Sequence, residues 1–183
     1  MRKVVGHRTS TMYALKRRAK IGNSEGVYIF DICFAAGTAY ISSSDHHITL
    51  CDQNMNIVSR FAAHTDTVNA MEMTEVSGRP VLITASTDKS IRGWDARCRP
   101  AAPAFQHFCS KEVLALSGLG GMGSNLIAAA AGCDIYFYDL RVTGDASSSS
   151  SAFSSRRISK LRDVHTDVVT SLTFNAGSGG SGS

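Results

Sequence analysis

The stretch LITASTDKSIRGWDAR, Leu82 to Arg97, decides the fold. Leu82, Ile83, Thr84 and Ala85 form a short run of apolar and β-branched residues, the composition of a buried strand. Thr87, Asp88, Lys89 and Ser90 are turn chemistry, because Asp and Ser side chains bond the backbone two residues on. Ile91 to Trp94 returns to strand composition and closes on Trp94-Asp95. Strand, tight turn and strand thus fill sixteen residues.

Working outward, the surrounding residues complete a unit of four short strands. His64-Thr65-Asp66-Thr67-Val68 opens it and Val68 to Met73 is its first strand. Gly78-Arg79-Pro80 breaks the chain, Val81 to Ser86 and Ser90 to Asp95 follow, and Ala104 to Phe108 is the outer strand. Upstream, the same order reads as Val27–Phe34, Thr38–Ser43, a turn at Ser44 to His47, Ile48–Asp52 and Asn56–Phe61. Both faces of Val27–Phe34 are largely apolar, which predicts burial on both sides. Downstream, Val113–Leu116, a glycine-rich break at Gly118 to Gly123, Leu126–Ala130 and Ile135–Asp139 repeat it. A serine-rich loop within Thr143 to Ser155 interrupts that unit before Ile158–Leu161. His165 to Phe174 begins a fourth. The spacing is regular: Asp45 to Asp88 and Asp52 to Asp95 are each 43 residues, and Asp95 to Asp139 is 44. A period near 40–45 with four short strands per unit is the signature of a propeller blade.

These residues resemble the WD40 repeat family. SSDHHITLCD (Ser43–Asp52), STDKSIRGWD (Ser86–Asp95) and GCDIYFYD (Gly132–Asp139) are similar to its signature turn and third strand, most fully in the second unit. The resemblance implies an all-β fold, a WD40 β-propeller of which only about three to three-and-a-half blades are present. It divides the chain into a basic arm (1–25), a partial propeller (26–174) and a Gly/Ser tail (175–183). The blades fall at about 26–61, 62–108 and 111–161, with the start of a fourth at 164–174. It also implies a hydrogen-bonded tetrad of His64, Thr84 (or Ser86), Asp88 and Trp94. Such a buried polar chain is worth having only when every member is satisfied. Cys51 and Tyr138 stand at the Trp position, Gly132 at the turn Asp and Ile41 at the hydroxyl, so the other units are expected to rely on apolar packing. Family propellers close with about seven blades. The expectation is therefore a fragment, a truncated product or half of an assembled ring.

Composition bounds the function. Apolar content of 43% and charge of 19% are globular values. Seven cations precede the first acid at Glu25, whereas the rest of the chain carries twelve basic and fifteen acidic residues. Lys16, Arg17, Arg18 and Lys20 lie in that arm as a candidate import or RNA contact. A solvated arm is the simpler account, and a mitochondrial presequence a further alternative. Aromatic residues are not interleaved with these cations, so RNA is an unlikely partner. Cys33, Cys51, Cys98, Cys109 and Cys133 are odd in number and lack CxxC spacing, which predicts free thiols in a reducing compartment. No apolar h-region follows the N-terminus and no run approaches ~20 apolar residues, so neither a signal peptide nor a membrane span is expected, and an intracellular location, cytoplasmic or nuclear, is.

No P-loop, HExxH or Gly-x-Ser-x-Gly pattern appears. GLGGMG (Gly118–Gly123) leads into a strand rather than a helix, so it offers no phosphate cradle. No metal, cofactor or small-molecule substrate is expected. His46-His47 beside Asp45 lacks a spaced third ligand. The expectation is a non-enzymatic scaffold for other proteins. One alternative follows from Trp94-Asp95-Ala96-Arg97, which resembles the WDxR box of substrate receptors for cullin-type ubiquitin ligases. Trp94, Asp95 and Arg97, with Arg141 as a weaker second copy, are then the candidate partner-binding residues, and a cullin-ligase adaptor is the partner. The other is an RNA-associated or ribosome-assembly factor acting through the arm.

Overall fold

The computed structural model describes residues 26–97, 102–118, 125–143 and 152–174. Among these residues every regular element is a β-strand. β1 (Ile29–Ala35), β2 (Thr38–Ser43), β3 (His47–Cys51) and β4 (Ile57–Ala62) form sheet 1. β5 (Val68–Val76), β6 (Arg79–Ser86), β7 (Ser90–Asp95) and β8 (Phe105–Phe108) form sheet 2. β9 (Val113–Gly118), β10 (Leu126–Ala131), β11 (Asp134–Thr143) and β12 (Ala152–Leu161) form sheet 3. Each sheet is an antiparallel meander whose strands pair in chain order. The first strands are neighbours, β1 against β5 and β5 against β9, as in a propeller-like arrangement.

Turn chemistry sets these registers. Ala36 and Gly37 (φ 47° and 77°) join β1 to β2, and Ser77 and Gly78 (φ 52° and 75°) join β5 to β6. Two consecutive left-handed residues are the hairpin turn whose twist matches that of its strands. His46 and Lys89 share φ 68° at equivalent places, closing the β2–β3 and β6–β7 turns.

Two apolar layers fill the space between the sheets. Tyr40 and Ile48 of sheet 1 meet Val68, Met71, Leu82 and Trp94 of sheet 2. On the other side of sheet 2, Val81, Ile83 and Ile91 meet Ile127, Tyr136 and Tyr138 of sheet 3. Opposite faces of β6 serve the two layers, because successive side chains alternate across a strand. At the outer edges, β12 is longer than β4 or β8 and carries Arg156, Arg157 and Lys160. Lys160 pairs with Asp134 at 2.7 Å, and Arg157 lies 5.8 Å from the Tyr136 ring centroid.

Several expectations are corrected. Val27–Phe34 is not buried on both sides: Tyr28, Phe30, Ile32 and Phe34 are exposed, Phe34 by 74%. No sheet covers that flank of β1 among the described residues. The break at Gly78-Arg79-Pro80 is narrower than expected. Ser77 and Gly78 make the turn, while Arg79 and Pro80 already pair with Val76 and Glu75. The outer strand expected at Ile158 begins at Ala152, within the region read as loop. His165–Phe174 forms no strand. It lies along sheet 3 with Val169 and Leu172 against Ala115 and Ala130, held by hydrogen bonds from Val169 N to Gly132 O and from Phe174 N to Ser117 Oγ. An inner strand needs a neighbour on its other side, and the described residues supply none.

Candidate functional site

A buried polar network occupies the turn end of sheet 2. Asp88 sits in the β6–β7 turn, where its Oδ1 accepts the Ser90 backbone N–H at 2.9 Å and the Ser90 hydroxyl at 2.6 Å. The Ser86 hydroxyl in turn accepts the Asp88 N–H at 3.0 Å. His64 arrives from the β4–β5 connection, fixed where its N–H and that of Ala63 both donate to His46 O. Its Nδ1 lies 2.9 Å from Asp88 Oδ2 and its Nε2 lies 2.7 Å from Thr84 Oγ1. Trp94 Nε1–H donates to the same Thr84 oxygen at 3.0 Å.

One proton arrangement satisfies the chain. The carboxylate fixes the proton on His64 Nδ1, so Nε2 accepts from the Thr84 hydroxyl, which in turn accepts from the indole. Burial pushes His64 below its ordinary value, against the pull of Asp88. Burial also pushes the Asp88 carboxyl up, but the Ser90 hydroxyl, the His64 ring and the Thr65 N–H outweigh it and hold it at about 2. The result is a neutral imidazole on an ionised carboxylate.

A hydroxyl, an imidazole and a carboxylate in series have the make-up of a hydrolytic triad, but the surroundings differ. Thr84 is fully buried and its oxygen already serves His64 and Trp94. The recess beside Trp94, lined by Tyr40, Leu50, Phe61 and Leu82 among others, is about 10 Å³, no more than one water. The network joins the β4–β5 connection, β6, the turn and β7. The structure brings together all four residues expected from sequence and chooses Thr84 over Ser86, which bonds Asp66 O and the turn instead. Trp94, also expected to touch a partner, is 3% exposed and packs edge-on against Phe61 at 5.1 Å, so it presents no surface to one.

The opposite end of the sheets carries a different repeat. Asp95 and Asp139 stand at equivalent register positions of β7 and β11, Asp95 at the end of its strand and Asp139 inside its longer one, and Asp52 directly follows β3. Arg97 forks across both oxygens of Asp95, Nε to Oδ1 at 2.9 Å and Nη2 to Oδ2 at 2.5 Å, whereas Arg141 Nε and Nη2 both donate to Asp139 Oδ2, at 2.9 and 2.5 Å. Both arginines are exposed. The Arg97 hydrogen bond holds the Asp95 carboxyl below its ordinary value. Asp52 caps the backbone of Asn54 and Asn56 instead. Exposed pairs of this kind add ~0–1 kcal/mol to stability, so their effect is to orient a planar donor.

Residues the sequence did not assign to the network complete the picture. Ser90, read from the sequence only as a turn residue and the start of a strand, touches both Asp88 and His64 Nδ1. Asp31 reaches across sheets to accept the Met71 N–H at 2.7 Å. His107 contacts Ser155 and lies 4.9 Å from the Tyr138 ring, whose hydroxyl is 3.5 Å from Cys109 Sγ. Among the described residues Cys33, Cys51, Cys109 and Cys133 are free thiols, and no cluster of three metal-binding side chains occurs. No helix among the described residues is long and apolar enough to cross a membrane. Lys16, Arg17, Arg18 and Lys20, Cys98 and most of Gly118–Gly123 lie outside the described residues. Comparison of the chain with protein-family models and with curated proteins found no match.

Proposed function

We propose that the chain is a non-enzymatic scaffold of the WD40 type, a partial β-propeller whose strand ends bind other proteins. One observation carries this reading. On neighbouring sheets, at equivalent register positions of the third strands, an exposed guanidinium is held by a carboxylate two residues before it, as Asp95–Arg97 and Asp139–Arg141. Two fixed planar donors on one edge suit a partner offering carboxylates or backbone carbonyls. The tetrad of sheet 2 supports the WD40 likeness. Its members consume one another's hydrogen-bonding capacity, which suits a structural brace better than a reaction centre.

The alternative is a substrate receptor of a cullin-type ubiquitin ligase, with Arg97 meeting the adaptor. The 46% exposure of the Arg97 side chain favours it. Trp94 then acts by bracing the strand beneath Arg97. The test is affinity purification of the endogenous protein, with wild type compared against Arg97→Ala and Arg141→Ala. A bound protein lost in Arg97→Ala, at unchanged thermal stability, is the expected result. A cullin-ligase adaptor among the losses selects the alternative. Retention of every partner by both variants overturns the reading.

A further inference from the structure

The stretch Arg156-Arg157-Ile158-Ser159 lies on β12, and its pairing is irregular. Arg156 and Arg157 stand opposite Asp139 and Tyr138 of β11, but Ser159 stands opposite Phe137, so Ile158 is a bulge residue without a partner across the pair. The bulge changes which side chains share a face. Residues three apart in a regular strand point to opposite faces. Here Arg156 and Ser159 share the face of Asp139 and Phe137, while Arg157 takes the face of Tyr138. Lys160, opposite Tyr136, takes that second face as well, where Asp134 holds it at 2.7 Å.

Arg156, Arg157, Ile158 and Ser159 are all exposed, Ile158 by 51%. The two carboxylates of β11 are already engaged, Asp139 by Arg141 and Asp134 by Lys160. The guanidinium groups of β12 are therefore not neutralised by the acids of the strand beside them. Arg157 rests 5.8 Å from the Tyr136 ring centroid, which steadies it without cancelling its charge. No strand pairs with the outer side of β12 among the described residues. Several other serines are unavailable: Ser42, Ser43, Ser86 and Ser90 are fully buried, and Ser155 bonds His107. Paired arginines followed by one residue and a serine occur nowhere else in the sequence.

We infer that Ser159 is a phosphoacceptor for a serine kinase whose substrate cleft carries acidic side chains. Such a cleft reads arginines ahead of the acceptor through planar, charge-assisted pairs. β12 offers it extended backbone, two guanidinium groups and a hydroxyl on the same face as the first of them. In the transfer, Ser159 Oγ attacks the γ-phosphorus of a nucleoside triphosphate held by the kinase. The new O–P bond forms as the bond to the bridging oxygen breaks, the hydroxyl proton passes to the kinase's carboxylate base, and nucleoside diphosphate leaves. The product places a charge of about −1.5 to −2 on the face that Arg156 shares. The Arg156–Lys160 stretch, with its three cations, then keeps a net charge of only about +1. This goes beyond the partner-binding reading and does not rest on it.

The test uses the full, folded chain with magnesium ATP and cyclic AMP-dependent protein kinase, which selects arginines ahead of its serine. Tandem mass spectrometry should place phosphate on Ser159 in stoichiometric yield, and Ser159→Ala should lose that signal. Arg156→Gln and Arg157→Gln should each lower kcat/KM at Ser159 by about 10-fold, with unchanged circular dichroism. A kinase directed to acidic flanks should leave Ser159 unmodified. Absence of phosphate at Ser159 in the folded chain overturns the proposal. So does phosphate that reaches Ser159 only after unfolding in urea, which would mean that strand pairing shields the hydroxyl. Equal rates in the arginine variants overturn it too, since the guanidinium groups would then not be read.

Discussion

Trp94 donates its one N–H to Thr84 while its ring fills the layer between sheets 1 and 2. Trp94→Phe keeps most of the ring but strands the Thr84 lone pair. It should cost about 1–3 kcal/mol in chemical denaturation, the range for an unpaired buried polar group. His64 gives the network a pH response. Its folded value lies below 6.5. Below 6.5 the unfolded chain binds a proton that the folded chain refuses, so stability falls as the pH falls from there toward the folded value. The denaturation midpoint should therefore drop between about pH 7.5 and pH 5, and less so in His64→Gln. Asp88, lowered from 3.8 to about 2, adds a second loss as the pH falls through that interval. His64, Thr84, Asp88 and Trp94 were legible only through the resemblance of their unit to a repeat family, since Cys51, Tyr138, Gly132 and Ile41 stand at the matching positions elsewhere. Ser90 and Asp31 were not, since a Ser or an Asp inside a strand says nothing of which side chain it will meet.

At the scale of elements, backbone conformation and close approach are separable at two glycines. Gly78 has φ 75° with no heavy atom near a would-be Cβ, so Gly78→Ala should cost only the left-handed backbone penalty, about 1–2 kcal/mol. Gly93 has ordinary strand dihedrals but lies beneath Phe105, whose ring carbon would sit 2.1 Å from an added Cβ. Gly93→Ala should force β8 away and cost about 1–3 kcal/mol by overpacking. Thermal melts of the two variants check both. The strand order was legible from alternation and turn residues, and Ser90–Asp95 agrees to the residue. The ends of β5 and β12 were not. β5 runs on to Val76 because its partner β6 starts at Arg79, and β12 reaches back to Ala152 because β11 extends to Thr143. Pairing length is decided by the partner strand, which local composition does not contain.

At the scale of the molecule, protection should grade across the arc. Val81 and Ile83 lie in a central strand under two sheets, whereas the His165–Phe174 backbone is fixed by isolated hydrogen bonds. Hydrogen exchange should find the β6 and β7 amides slowest and those of His165–Phe174 faster by orders of magnitude. Equal rates would mean that the segment is held as firmly as a paired strand. The mistaken expectation for Val27–Phe34 belongs to this scale. A strand apolar on both faces signals two packing partners, and among the described residues only the face of β1 toward sheet 2 meets one. The guanidinium and ammonium groups of β12 have a consequence for solubility. β12 is the terminal strand of sheet 3, with no strand paired to its outer side among the described residues, and such an edge is the template on which cross-β growth begins. Two such edges would align like charges, so the molecule is guarded along this edge. That guard is only as long as the Debye length, which shrinks from ~10 Å at 0.1 M to ~3 Å at 1 M salt. Concentrated salt, which tightens apolar contacts in most proteins, should here also unlock fibril growth, visible as a salt-shortened lag in thioflavin fluorescence.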